Sequence, residues 1–345
     1  MEATGAYAIL DEATTWNWLQ NTTDQSVMPI RVDSAIADRI VIQMEAIPVI
    51  GLAMRDTEVR LDTPKGTVIL DPQTMDTLAE NGNNVRVIIE ANRNGTTTIR
   101  VNSGSRPADV DVKIELQAPY NGQVLVMVNQ DGTEEVIKKS YVENGKVYAV
   151  IPAGATVKVA DNGKTFGDVK VRDWYADAVE FVSSHELFQG VGENKFDPQA
   201  SMTRAMLVTV LYRLENEPES SGKVKFADVA EDTWYADAVA WAAETKLVNG
   251  TDKGFEPNAD ITREQIATIL YRYAQSLGMD TKARGIVSRF GDSAEISGWA
   301  ADAMAWAVEV GLFRGDENEN LNPQGNATRA EVATLLERLV KLIVK

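Results

Sequence analysis

Residues 226–241 read Phe226-Ala-Asp228-Val-Ala-Glu-Asp-Thr-Trp234-Tyr235-Ala-Asp237-Ala238-Val-Ala-Trp241. Leu247-Val-Asn-Gly250, Phe255-Glu256-Pro257 and Thr262-Arg263-Glu264-Gln265 follow in that order. The same succession opens again at Phe166-Gly-Asp168, 60 residues earlier, and at Phe290-Gly-Asp292, 64 residues later. A motif of this many parts, met three times in order, marks an internal repeat. Each opening leads to a tryptophan (Trp174, Trp234, Trp299), an aspartate three residues on (Asp177, Asp237, Asp302), and a second large aromatic (Phe181, Trp241, Trp306). The spacing i, i+4, i+7 from the tryptophan predicts one helical face.

The first helix runs into Leu187-Phe-Gln-Gly190, Leu247-Val-Asn-Gly250 and Leu312-Phe-Arg-Gly315. A glycine kept in all three copies predicts a positive φ or a close backbone approach. The prolines of Phe196-Asp-Pro198, Phe255-Glu-Pro257 and Leu321-Asn-Pro323 predict a stop to regular structure and an extended segment. A second helix then opens at Thr203-Arg204, Thr262-Arg263 and Thr328-Arg329, with threonine as N-cap. Glu331 completes a capping box after Thr328 and Gln265 can do so after Thr262, whereas Met206 cannot. Arg213, Arg272 and Arg338 stand near the helix ends, where the dipole favours a cation. Glu186 and Lys246 occupy the place of Gly311 at the end of the first helix, a costly substitution of up to ~1 kcal/mol if the backbone is left-handed. One helix–loop–helix unit of about fifty residues cannot bury its apolar face alone, so three are expected to share a core.

The pattern Phe-x-Asp-Val, Trp-Tyr-Ala-Asp-Ala, Leu-x-x-Gly, Phe-x-Pro, Thr-Arg-Ala-Glu resembles the S-layer-homology domain, in triplicate over residues 164–345 (repeats 164–217, 224–278 and 288–345). The resemblance implies an all-α, pseudo-threefold bundle that binds a secondary cell-wall polysaccharide in grooves between repeats. It further implies a peptidoglycan-linked polymer carrying pyruvyl ketals, with Arg204, Arg263 and Arg329 at the positions of the family's most typical motif. Ala300 replaces the tyrosine found at Tyr175 and Tyr235, so the three grooves need not be equal.

The chemistry of the side chains fits that expectation. A ketal-linked pyruvate offers a carboxylate, which a guanidinium fork matches bidentately. A helix N-terminus would add N–H donors. The alternative for Arg204, Arg263 and Arg329 is a surface residue in the first turn, where a cation opposes the dipole. Trp174, Trp234 and Trp299 are either platforms for a sugar face or core anchors, and Trp241 and Trp306 read as core. Asp177, Asp237 and Asp302 either accept sugar hydroxyls or simply favour the helix dipole. Gly190, Gly250 and Gly315 are conformational or lend their backbone to a ligand.

Catalysis, cofactors and metals find little support. The chain has no cysteine and one histidine, His185, present in one copy only. Neither a catalytic triad nor a zinc site follows from that inventory. Asp316-Glu-Asn318-Glu-Asn320 opens like a calcium loop, but Leu321 and Ala327 stand where the glycine and the bidentate acid belong. The net charge of −17 falls as −7 on residues 1–160 and −10 on residues 161–345, which disfavours nucleic acid and anionic membranes. No run of eighteen apolar residues occurs, so no membrane insertion is expected.

Residues 36–160 read as a β-rich (α+β) module. Alternation or short apolar runs mark strands within 33–44, 58–61, 67–70, 85–91, 96–101, 110–116, 124–128, 147–151 and 156–160. Asn94-Gly95 and Asp131-Gly132 are hairpin turns, and residues 72–80 a short helix with Met75 and Leu78 on one face. Residues 1–35, with Trp16 and Trp18, read as an edge strand plus linker or as a truncated piece of an upstream domain, and the start Met1-Glu-Ala-Thr-Gly5 lacks the features of a secretory signal, so further chain upstream is expected. The fold class is therefore multi-domain, a β-rich module followed by an all-α triple-repeat bundle. The expected role is a non-catalytic, extracellular wall anchor. A self-assembling surface-lattice protein and the C-terminal anchor of a truncated surface enzyme are the alternatives.

Overall fold

The computed structural model describes residues 5–222 and 226–345. The expected start of the second repeat at 224, and the first four residues of the opening segment, lie outside them. The chain divides into two compact units, Met1–Asn162 and Gly163–Ile343.

Among its described residues the first unit is built from two sheets and three helices. Its strands are β1 (Gly5–Leu10), β2 (Val27–Arg31), β3 (Arg39–Met44), β4 (Glu58–Thr63), β5 (Gly66–Leu70), β6 (Val85–Ala91), β7 (Thr97–Ser103), β8 (Arg106–Pro107), β9 (Asp111–Gln117), β10 (Gln123–Val128), β11 (Glu134–Val136), β12 (Ser140–Glu143), β13 (Lys146–Pro152) and β14 (Thr156–Asp161). One sheet runs β1-β3-β6-β7-β14-β10-β11, with β8 on β7, and the other runs β12-β13-β9-β5-β4-β2. The pairs β1–β3 and β2–β4 are parallel, and the remaining ladders are antiparallel. Alternation explains which face is buried: Ile40, Ile42 and Met44 of β3, Val85, Val87 and Ile89 of β6, and Ile114 of β9 all point into one apolar core.

The hairpin turns carry their glycines at positive φ, Gly95 at 81° and Gly132 at 84°. The helix α3 (Pro72–Glu80) is capped by the Asp71 carboxylate and buries Met75 and Leu78. Residues 5–31, expected as edge strand and linker, supply both edge strands β1 and β2 and the helix α1 (Glu12–Gln20), whose Leu19 joins the core. The helix α2 (Ala46–Ala53) was not anticipated. Its sequence AIPVIGLA is apolar almost throughout and shows no helical period, and Val49 and Leu52 bury fully.

The second unit carries the repeats as three helix pairs among its described residues: α4 (Ala176–Ser184) and α5 (Arg204–Leu214), α6 (Ala236–Glu244) and α7 (Arg263–Ser276), α8 (Ala301–Glu309) and α9 (Arg329–Val344). The threonines cap as expected, Thr203 receiving Met206 N–H, Thr262 that of Gln265, and Thr328 that of Glu331. Full capping boxes form only in α7 and α9. Glu186 and Lys246 are left-handed, at φ 60° and 61°, like Gly311 at 75°.

Two expectations are corrected. The tryptophan of each repeat does not share a face with the residues four and seven further on. Trp174 and Trp234 precede the N-cap tyrosines of α4 and α6, and Trp299 precedes Ala300 at the start of α8. The three indoles are therefore 59–66% exposed, while Ala178 and Phe181, Ala238 and Trp241, Ala303 and Trp306 are buried. The residue before each repeat's proline is also not extended. Asp197, Glu256 and Asn322 lie at φ 57°, 57° and 50°.

The reason lies in the opening aspartates. Asp168 accepts the N–H groups of Phe196 and Asp197 at 2.9 and 2.8 Å. Asp228 accepts those of Phe255 and Glu256 at 2.9 and 2.6 Å, and Asp292 those of Leu321 and Asn322 at 2.9 and 2.6 Å. Two charge-assisted bonds outweigh a local backbone preference. The turn so held drives Phe196, Phe255 and Leu321 into full burial.

Backbone bonds connect the three repeats in a closed cycle. The residue ahead of each N-cap threonine donates to its counterpart in another repeat: Met202 to Ala327 at 2.9 Å, Ala327 to Ile261 at 3.1 Å, and Ile261 to Met202 at 2.9 Å. All three are fully buried, and each has its N–H satisfied by a carbonyl of another repeat.

Candidate functional site

The arginine that follows each N-cap threonine reaches into the next repeat. Arg204 Nε donates to the carbonyl of Phe255 at 2.8 Å, Arg263 Nε to that of Leu321 at 2.7 Å, and Arg329 Nε to that of Phe196 at 2.8 Å. Each guanidinium also lies over a phenylalanine of that neighbour: Arg204 over Phe255 at 5.0 Å, Arg263 over Phe313 at 4.9 Å, Arg329 over Phe196 at 4.6 Å and Phe188 at 5.1 Å. Burial pushes all three guanidinium groups below the ordinary arginine value, opposed by the nearest acids, Glu256 at Arg204, Glu331 at Arg263 and Asp197 at Arg329. They remain cations, since arginine does not deprotonate in proteins.

The helix N-termini offer a ligand less than expected. Arg204 and Ala205 donate their N–H groups to Ala259 and Pro257, Arg263 and Glu264 to Gly325 and Pro323, and Arg329 and Ala330 to Ala200 and Pro198. The third N–H goes to the capping threonine. The donors that usually serve an anion at a helix start therefore close the joints between repeats. The arginine side chains, rather than the helix ends, are the available cationic groups.

Two grooves bring these arginines together with the exposed indoles, each drawing on all three repeats. In one of about 410 Å³, Arg204 of the first repeat and Trp299 of the third flank Gly250, Gln265 and Arg272 of the second. In the other, of about 640 Å³, Arg263 of the second repeat and Trp174 of the first flank Gly315, Arg314, Glu331 and Arg338 of the third. Both volumes suit a sugar residue or two. In the larger groove Arg338 is lowered by its own burial and by the neighbouring charges of Arg314 and Arg263, with Glu337 opposing them. At the third joint Arg329 also donates Nη2 to Gln189 at 3.0 Å.

The remaining predicted site residues fall into place differently. Gly250 and Gly315 are at φ 70° and 78° and Gly190 is not at positive φ, but all three lie under an aromatic ring. A Cβ there would stand 2.5 Å from Phe226, 2.7 Å from Phe290 and 2.9 Å from Phe166 respectively. Asp177, Asp237 and Asp302 are exposed in their first turns and line neither groove, and Asp237 borders a separate depression beside Phe226 and Val229.

Arg272 and Arg338 belong to the grooves although their sequence position suggested only a helix-end cation. Their Nη1 atoms donate to Leu247 and Leu312, as Arg213 does to Leu187, which aims each across the mouth of its own repeat's loop. Their recurrence at one offset was the available signal. His185 is buried, with Nδ1 2.8 Å from the Phe181 carbonyl. Among the described residues no cluster of three or more His, Asp or Glu side chains could hold a metal ion, and no helix is long and apolar enough to cross a membrane.

The model of the S-layer homology domain matches residues 165–205, 225–267 and 289–333. An amylopullulanase of Thermoanaerobacterium thermosulfurigenes is 32% identical over 178 residues, 52% of this chain and 10% of that protein. The S-layer protein sap of Bacillus anthracis is 29% identical over 198 residues, 57% of this chain and 24% of that protein. A cellulosome-anchoring protein of Acetivibrio thermocellus is 29% identical over 158 residues, 44% of this chain and 35% of that protein. The chain thus spans from 10% to 35% of the length of these relatives. Its second unit carries three S-layer homology domains, the repeats by which surface proteins are held to the bacterial cell wall.

Proposed function

We propose that this chain is the wall-binding part of an extracellular bacterial surface protein and performs no catalysis. In this reading the three repeats close into a pseudo-threefold bundle, supported by the cyclic bonds of Met202, Ala327 and Ile261. The clefts between repeats take carboxylate-bearing units of a secondary cell-wall polysaccharide, with pyruvate ketals as the anionic group. One observation carries it: a guanidinium and an exposed indole from different repeats meet in one groove, Arg204 with Trp299 and Arg263 with Trp174. The guanidinium suits a carboxylate and the indole face suits the C–H face of a sugar. Several weak sites on a repeating polymer gain by effective concentration, so an anchor needs no tight single site.

The full chain should sediment with purified sacculi and cease to do so once acid has stripped the wall polysaccharide. Equal retention on stripped sacculi rejects the polysaccharide as ligand. What the anchor carries is a separate matter: relatives sharing these repeats include both an S-layer protein and an amylopullulanase. Growth of scattering with concentration in the absence of polymer would favour the surface-lattice role.

A further inference from the structure

The residue at the third position of the second helix separates the two grooves chemically. In α9 it is Glu331. One carboxylate oxygen caps the Thr328 N–H at 2.8 Å and the other pairs with Arg263 Nη1 at 3.1 Å. The cation of that groove is therefore already neutralised from within, and Asp316 and Glu317 line the same space. In α7 the position holds Gln265, whose Oε1 caps the Thr262 N–H at 3.2 Å. A backbone N–H requires an acceptor, so the amide oxygen is committed to the cap. The amide NH2 is then left in the place where Glu331 offers its second oxygen. Opposite it, Arg204 uses Nε on Phe255. The lining of this groove includes Arg204 and Arg272 and no carboxylate.

We infer that the three joints are unequal and that the Arg204 groove is the principal anion-binding site, with Gln265 setting its selectivity for a carboxylate-bearing sugar. This rests on the reading of the repeats as binders of an anionic glycan. An incoming carboxylate meets donors on both sides, the Arg204 Nη groups and the Gln265 amide. In the Arg263 groove the same ligand must displace Glu331 and leave a second carboxylate unpaired beside it, which like-charge repulsion opposes. The third joint has Met206 in this position, and Arg329 has a second donor engaged by Gln189.

The two capping boxes make the test clean. Glutamate already caps α9 and glutamine already caps α7, so Gln265→Glu and Glu331→Gln each install a side chain that the other repeat shows to be compatible with the fold. The chain has seven tryptophans, so 5-fluorotryptophan labelling gives few 19F resonances, with Trp299 and Trp174 assigned from Trp→Phe variants. The probe is the methyl glycoside of an N-acetylhexosamine bearing a 4,6-linked pyruvate ketal, and the same sugar without the ketal is the control.

In the wild-type chain the Trp299 resonance should move at a probe concentration at least about tenfold below that needed for Trp174, a difference of about 1.4 kcal/mol. Gln265→Glu should raise the Trp299 midpoint by about tenfold or more, and Glu331→Gln should lower the Trp174 midpoint comparably. Trp174 responding first, or midpoints indifferent to either exchange, overturns the inference. Sacculus binding without any response to the ketal sugar overturns it while leaving the anchor intact. Failure to bind both overturns the inference together with the proposed function.

Discussion

Arg204 both donates Nε to the carbonyl of Phe255 at 2.8 Å and lays its guanidinium over the ring of the same residue at 5.0 Å. One side chain thus welds the first repeat to the second and still presents its outer nitrogens to a groove. Lysine keeps the charge but has neither the planar face nor the lateral Nε–H. Arg204→Lys is therefore expected to lower stability by about 1–2 kcal/mol through the lost buried bond and stacking. It should also weaken polymer binding beyond what the stability loss explains. Urea unfolding and sacculus sedimentation on the same sample check both. A Lys variant as stable and as tightly bound as the parent would contradict this dual role.

Asp228 makes a sharper case for acid sensitivity. Burial raises its pKa, but the N–H donors of Phe255 and Glu256 more than offset that and hold it below the ordinary carboxylate value, and Asp168 behaves likewise through Phe196 and Asp197. A carboxylate depressed on folding stabilises the protein at pH values above its unfolded pKa. That contribution disappears as pH falls through the lower, folded value. The second unit should therefore lose stability below about pH 4. Asp228→Asn has only one acceptor for two N–H groups and turns an amide donor toward the other, but Asp228 is exposed and water can take up the freed N–H, so the cost should stay at about 1 kcal/mol. Its unfolding midpoint should also depend less on acid than the parent's.

Much of this was legible from residues alone, in proportion to how local its cause was. The threonine caps, the helix at Pro72–Glu80, the hairpin glycines and the left-handed Glu186 and Lys246 depend on neighbours within a turn of chain. The role of Asp168, Asp228 and Asp292 was not legible, because the N–H groups they hold lie 27–30 residues away. The arginines were recognised as recurring. That their Nε atoms and the helix starts would be used to join repeats depends on which repeat packs beside which. Trp174 was misplaced on a helical face because an i, i+4, i+7 count does not register that the helix begins two residues later. α2 escaped because uniformly apolar residues carry no period to read.

Glu186 and Lys246 offer a gain rather than a loss. Both sit in the left-handed region with exposed side chains, so replacing them removes no buried contact. Glu186→Gly and Lys246→Gly should each stabilise the second unit by roughly 0.5–1 kcal/mol, the strain that Gly311 avoids in the third repeat. Gly311→Ala should cost a similar amount. Thermal melts of the three variants under one buffer decide it, and a lower melting temperature for both glycine substitutions would show that the left-handed residues carry no strain.

In the first unit the corresponding weak point is Glu115, 6% exposed on β9. It receives Arg60 through two nitrogens, Nη1 at 2.7 Å and Nη2 at 2.9 Å, and Lys146 Nζ at 2.9 Å. Burial raises its pKa, and the bonds from Arg60 and Lys146 reverse that and bring it below the usual value. Its stabilisation is accordingly present at neutral pH and lost on acidification through the folded pKa. Arg60 and Lys146 are 28% and 35% exposed, so water compensates part of any loss. Glu115→Gln should cost about 1–3 kcal/mol, less than breaking a fully buried pair. Lys146→Ala, which leaves the two-nitrogen Arg60 contact in place, should cost under about 1 kcal/mol. Chemical unfolding followed by far-UV circular dichroism near 218 nm, where the β-rich unit contributes, would separate the two, and equal losses would mean that Lys146 rather than Arg60 holds the carboxylate.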